Sequence, residues 1–132
     1  MLKLVYGPKG TGKTKIILDD VNKAAEIAKG NVVFITDKRI SSVSININVR
    51  CVYTEEYEIN SVEGFNGFIK GLLAGNSDIE YLFIDGIARI TKGTLDEVES
   101  LLASLSGSDL NVEMTISSSK EDMPAYMLAY LK

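Results

Sequence analysis

The chain has 132 residues, a length that suits one domain with a real core. Apolar residues make up 45% and charged residues 24%, the balance of a soluble globular protein, and a net charge of −4 supplies no basic field for nucleic acid. One cysteine and no histidine exclude an internal disulfide, a Cys/His zinc site and histidine acid–base chemistry. No apolar run approaches the roughly 18 residues of a membrane span. The first strand starts at residue 2, which leaves no room for a signal peptide, so a cytoplasmic location is expected.

Residues 2–6 form a short β-prone run, and residues 7–14 read Gly7-Pro8-Lys9-Gly10-Thr11-Gly12-Lys13-Thr14. Ile17, Val21, Ala24, Ala25 and Ala28 then fall at helical spacing across 13–29, with Gly30 as the stop. Residues 31–36 are a nearly continuous apolar run ending at Asp37, as in a strand buried on both faces. From 43 to 53, Val43, Ile45, Ile47, Val49, Cys51 and Tyr53 alternate with polar residues. That period predicts one covered and one wet face, hence an edge strand or hairpin outside the central sheet. Cys51 is expected as a buried thiol, and the open edge as a route to self-association.

Residues 61–75 predict a helix with Phe65, Phe68, Ile69, Leu72 and Leu73 inward, weakened by Gly64, Gly67 and Gly71. Residues 79–85 predict a strand, Tyr81-Leu82-Phe83-Ile84 closing on Asp85. Thr94 and Glu97 make a capping box for a helix with Leu95, Val98, Leu101, Leu102 and Leu105 inward, ended by Gly107. Residues 111–116 predict another strand, running into Ser117-Ser118-Ser119. A short last helix is expected from about Asp122 and Pro124, with Tyr126, Met127, Tyr130 and Leu131 as contacts. Alternating strands and helices imply an α/β fold, a mostly parallel sheet of about four or five strands with helices on both faces. The glycine loop, Asp37, Asp85 and the serines all fall at carboxyl ends of strands, where such sheets bind ligands.

The 7–14 segment matches the phosphate-binding pattern G-x-x-x-x-G-K-[ST] in a strand–loop–helix context. Glycine opens backbone conformations closed to other residues and lets N–H groups approach an anion as a concave nest. The helix start adds unpaired donors and partial positive charge. The pattern assigns Gly7, Pro8, Lys9, Gly10, Thr11, Gly12, Lys13 and Thr14 to a nucleotide phosphate, with Lys15 close by. Lys13 would reach the β- and γ-phosphates, and the Thr14 hydroxyl would ligate Mg²⁺.

On these residues the chain resembles a P-loop NTPase domain of the RecA-like and AAA+ branch, so a three-layer P-loop NTPase fold is implied. Tyr81-Leu82-Phe83-Ile84-Asp85 looks like the Walker B motif, which makes Asp85 the second Mg²⁺ residue. The strand ending in Ser117 resembles the branch's sensor strand, which implies a Ser117 contact to the γ-phosphate or the attacking water. The implied strand order is the edge strand, the Asp85 strand, the sensor strand and then the loop strand. ATP or GTP is the implied ligand, with Mg²⁺ as cofactor and weak or partner-dependent hydrolysis.

Three departures qualify the resemblance. Gly86 stands where hydrolytic members often carry glutamate, so a general base must come from elsewhere; Asp37 is the candidate, with Glu55 or Glu56 behind it. The AAA+ lid is missing. Arg39, Arg50 and Arg89 lie in no arginine-finger motif, so a partner or a second copy would have to supply one. The layout is also similar to the RecA-like thymidine kinase core, although Gly86 and the single cysteine depart from that family's Asp-Glu pair and zinc site. Two alternatives remain: a non-hydrolysing regulatory module, and a small phosphotransferase with residues 38–60 as its lid.

Overall fold

The computed structural model describes residues 1–40 and 45–131. Five strands form one parallel sheet: β1 (Leu2–Gly7), β2 (Asn31–Thr36), β3 (Val49–Tyr53), β4 (Ile79–Ile84) and β5 (Asn111–Ser117). Their order is β1-β5-β4-β2-β3. Four α-helices connect or flank them: α1 (Lys13–Ile27), α2 (Val62–Gly75), α3 (Ile87–Thr91) and α4 (Glu99–Ser106). Among the described residues no helix is long and apolar enough to cross a membrane.

The strands are apolar on both sides because helices cover both. On one face Ile17, Leu18, Val21 and Ala24 of α1 pack against Val32, Phe34, Val49 and Phe83. On the other, Phe65 and Ile69 of α2, Ile87 and Ile90 of α3, and Leu101, Leu102 and Leu105 of α4 cover Val33, Ile35, Leu82, Ile84, Met114 and Ile116. By the period-two alternation of a pleated chain, β2, β3 and β4 split their side chains between the two clusters, whereas β1 and β5 give their buried apolar side chains to the second alone. The result is three layers, helix, sheet and helix.

Several elements differ from the sequence expectation. The 43–53 segment does hold an edge strand, as expected, but that strand belongs to the central sheet. Its second half, β3, pairs in parallel with β2, from Val32 opposite Val49 to Thr36 opposite Tyr53. As the outermost strand it is covered less fully, which leaves Cys51 half-buried and free. Val43 and the adjoining Ser44 lie outside the described residues. The Thr94–Glu97 pair forms, with Glu97 accepting from both the amide and the hydroxyl of Thr94. It opens a 3₁₀ turn at Asp96–Val98, and the α-helix starts only at Glu99. The last helix is also 3₁₀, at Ala125–Tyr130.

The α2 prediction holds closely. Ser61 caps it by accepting from the Gly64 amide at 2.9 Å, with Phe65 and Ile69 fully buried. The α3 helix has no counterpart in the sequence reading. It is only five residues long, too short for a periodic signal. Because all five strands are parallel, every carboxyl end lies along one edge of the sheet, and the candidate residues gather there.

Candidate functional site

The pairing register builds the site. Gly7, the end of β1, lies opposite Ser117, the end of β5. Ile84 lies opposite Met114, so Asp85 and Thr115 emerge side by side. Ile35 lies opposite Ile84, and the Asp85 amide donates to the Ile35 carbonyl at 2.8 Å. The end of β2, with Thr36 and Asp37, therefore closes the other side.

Between β1 and α1 the loop turns at Gly10 (φ +85°) and Gly12 (φ +84°), a conformation costly to any residue with a Cβ. Gly12 occupies the N-cap position of α1 and supplies no capping side chain. The first-turn amides of α1 thus face the loop, and no acidic residue stands in that turn to neutralise them. Thr11 Oγ1 donates to the Pro8 carbonyl at 2.7 Å and fixes the loop's own shape. The pocket in front measures about 200 Å³ and is lined by Lys9, Gly10, Gly12, Lys13, Thr14, Asp85, Arg89, Thr115 and Ser117.

Lys13 is the unusual residue of this pocket. It is only 8% exposed, and its Nζ donates to the Pro8 carbonyl at 2.9 Å. Among the described residues it forms no ion pair with a carboxylate. Buried charges are ordinarily paired, and here the partner of the ammonium group is that carbonyl. Thr14 Oγ1 donates to Asp85 Oδ2 at 3.2 Å, joining residues 71 positions apart. The other oxygen, Asp85 Oδ1, accepts from Thr115 Oγ1 at 2.7 Å, and Thr115 Oγ1 accepts from the Gly86 amide at 2.8 Å. Asp85 is 2% exposed and held on both oxygens.

Asp37 does not line the pocket. Arg89 bridges it to Asp85: Nε lies 3.4 Å from Asp37 Oδ2, and Nη2 lies 3.4 Å from Asp85 Oδ2. Burial raises the Asp37 pKa, but the hydrogen bonds and charge of Arg89, with smaller help from Thr36, outweigh it and hold the carboxyl below its ordinary value. A general base works best with a pKa near the working pH, so this shift runs against that role for Asp37. Glu55 and Glu56 pair instead with Lys38 and Arg39 on the surface. Lys15 is exposed on α1 and, like Pro8 and Thr11, lies off the pocket lining.

Thr115 escaped the sequence reading, and Arg89 entered it only as one of three arginines without a finger motif. Thr115 sits in a run where every neighbour from Val112 to Ile116 is buried. A hydroxyl near the end of such a strand, on the face opposite Met114 and Ile116, was the available signal. Arg89 had no motif; its place follows from the α3 turn after Asp85, which no periodicity announced.

A larger cavity, about 310 Å³, lies on the α1 side of the sheet away from the loop, with Lys3, Asp20, Tyr81, Phe83 and Glu113 in its lining. Burial, reinforced by Asp20 and opposed by Lys3, pushes the Glu113 carboxyl up to about 8. It has no glycine loop and no helix start, and the residues predicted for function are elsewhere.

Comparison with protein-family models and with curated protein sequences gives no match.

Proposed function

We propose that this chain binds the phosphate chain of a nucleoside triphosphate, ATP or GTP, on the 7–14 loop. The observation that carries this reading is Lys13: a nearly buried ammonium group at the start of α1, paired only with a loop carbonyl, beside the Thr14–Asp85 contact. Helix start, turn glycines and lysine supply the donors and positive charge that a phosphate chain needs. Whole-ligand pockets run about 300–1,000 Å³. This pocket, about 200 Å³, has room for phosphates and would leave base and sugar outside. The run of Asp85 strand, Ser117 strand and loop strand follows the order the resemblance implies, whereas β2, not the edge strand, lies beside the Asp85 strand.

Thr14 and Asp85 offer two oxygens at 3.2 Å, a donor set that suits Mg²⁺. Among the described residues no group of three or more acidic or thiol side chains gathers for a metal, so phosphates and water would provide the remaining ligands. The ion would supply charge neutralisation of the phosphates. Lys13 would hold the β- and γ-phosphates, and Ser117 would face the outer end of the chain.

Hydrolysis would need a base on the attacking water, and the acidic residue of the pocket lining is Asp85, already assigned to the ion. A second reading, a non-hydrolysing regulatory module, is favoured by the Gly86 position. Gly86 has φ +83°, a backbone conformation that strains any residue with a Cβ, and a Cβ there would also have to displace the Arg89 guanidinium. Calorimetric titration with ATP and GTP, with and without Mg²⁺, tests binding. Lys13→Ala should weaken it at least tenfold, and Asp85→Ala should remove mainly its Mg²⁺-dependent part; an unchanged affinity in Lys13→Ala would refute the site. Phosphate release then separates an NTPase from the regulatory module, and transfer to a nucleoside without release would mark a phosphotransferase.

A further inference from the structure

On the α1 side the sheet changes character from one strand to the next. β2, β3 and β4 meet α1 with apolar side chains. Beside them, Lys3 of β1 lies opposite Glu113 of β5, and Glu113 opposite Phe83 of β4. Asp20, Ala24 and Ile27 of α1 fall on one helix face and line the same space. Between helix and strands lies the cavity of about 310 Å³, at the amino halves of the strands and away from the glycine loop. We propose that this cavity is a second ligand site, for a small organic cation: a protonated amine carried on an apolar body. The site is independent of the phosphate-binding reading of the loop.

Two costs coincide here, and packing alone favours neither. Protein interiors hold few voids wider than a water, and this one reaches the roughly 300 Å³ at which ligand pockets begin. Glu113 is a carboxyl group in a strand buried from Val112 to Ile116, and it is itself only 8% exposed. Such a group is costly without partners. Its Oε2 and the Oδ2 of Asp20 are buried and have no hydrogen-bond partner. One ammonium group serves both acids. Lys3 Nζ lies 3.7 Å from Glu113 Oε1 and 3.8 Å from Asp20 Oδ2, and its side chain is 62% exposed. Those distances exceed the hydrogen-bond range of about 2.7–3.2 Å. Lys23 also lines the cavity and, among the described residues, pairs with neither acid.

An ammonium group offers three donors and no acceptor, which suits two acids short of donors. Tyr81 and Phe83 line the same cavity with their rings nearly parallel, 6° apart in tilt and 6.2 Å between centroids. They supply apolar surface for the ligand's body and ring faces that attract a cation. Met1 and Ile27, each 71% exposed, extend the apolar lining outward. Acids that attract an amine repel a phosphate, so the two sites take ligands of opposite charge.

The test is NMR titration of the whole chain with three probes: phenethylamine, 2-phenylethanol, which keeps the body without the charge, and methylamine, which keeps the charge without the body. Phenethylamine should bind with a Kd of about 1 mM, the scale for so small a probe, and shift the amides of residues 20–27, 81–83 and 111–113. The other two should bind roughly tenfold more weakly or less. Glu113, held up to about 8 chiefly by burial, keeps a proton that the amine must displace, so phenethylamine should bind more tightly as pH rises toward that value. Asp20 and Lys23 of α1, Lys3 of β1, Tyr81 of β4 and the amino group of Met1 also surround it, so the profile is read as the difference between wild type and Glu113→Gln. That variant should flatten the profile and, like Asp20→Asn, weaken phenethylamine about tenfold while leaving 2-phenylethanol unchanged. The three-probe comparison is made on the wild type and needs no variant to fold. Equal binding of phenethylamine and 2-phenylethanol would overturn the cation, equal binding of methylamine would overturn the apolar body, and shifts that miss the cavity residues would overturn the site.

Discussion

Thr115→Val measures how firmly the site carboxylate is built into the fold. Valine nearly matches threonine in shape, so the substitution removes one hydroxyl and little volume. That hydroxyl donates to Asp85 Oδ1 at 2.7 Å and accepts from the Gly86 amide at 2.8 Å, with Thr115 and Asp85 both 2% exposed. A hydrogen bond to a charged group contributes about 1.5–3 kcal/mol, and an orphaned buried amide costs about 1–3 kcal/mol. Thr14 and Arg89 still touch the other Asp85 oxygen, so the lower part of the summed range applies, about 3 kcal/mol. For a chain between the small and medium size classes this corresponds to a fall in Tm of roughly 10 °C. Urea unfolding followed by circular dichroism reads it directly. Thr115→Ser keeps the hydroxyl and should stay within about 1.5 kcal/mol of wild type. A Thr115→Val loss below about 1 kcal/mol, or one equal to that of Thr115→Ser, would show that the hydroxyl does not anchor Asp85.

Two further predictions concern stability. The Glu113 carboxyl, raised from its ordinary 4.5 to about 8, keeps a proton in the folded chain that the unfolded chain releases. Its stabilising contribution is therefore fully present below about pH 4.5 and is lost as pH rises to about 8, at no more than about 1.4 kcal/mol per pH unit. Asp20, Lys23 and Lys3 also face that cavity, so the readout is the difference between wild type and Glu113→Gln in urea midpoints from pH 5 to 8. The variant should gain relative to wild type as pH rises, and parallel profiles would refute the shift. Ser61→Ala removes the α2 cap that accepts from the Gly64 amide and should cost about 1 kcal/mol in the same assay, with no measurable loss counting against the cap.

Much of the site was legible because each of its parts is a local sequence signal. A glycine loop followed by lysine and threonine needs only its own backbone conformation to present donors. An apolar strand ending in aspartate needs only strand alternation to bring the carboxylate to the sheet edge. The buried faces of α1, α2 and α4 followed from helical spacing, since the same spacing places apolar side chains on one stripe. The 43–53 segment misled because alternation reports partial cover, which an outer strand of a parallel sheet also has.

By itself, the sequence determined the α/β alternation, the glycine loop between β1 and α1 and the carboxylate at the end of β4, because these depend on residues close together in the chain. Only the tertiary structure decided which of them meet. The register of β4 on β5 put Thr115 against Asp85, the packing of α1 brought Thr14 to the same carboxylate, and the α3 turn carried Arg89 between Asp37 and Asp85. Those contacts join positions far apart in the chain, and no local periodicity encodes a distance of that kind. The physical reason is that strand order and register are fixed by the burial of the whole sheet between its two helical layers.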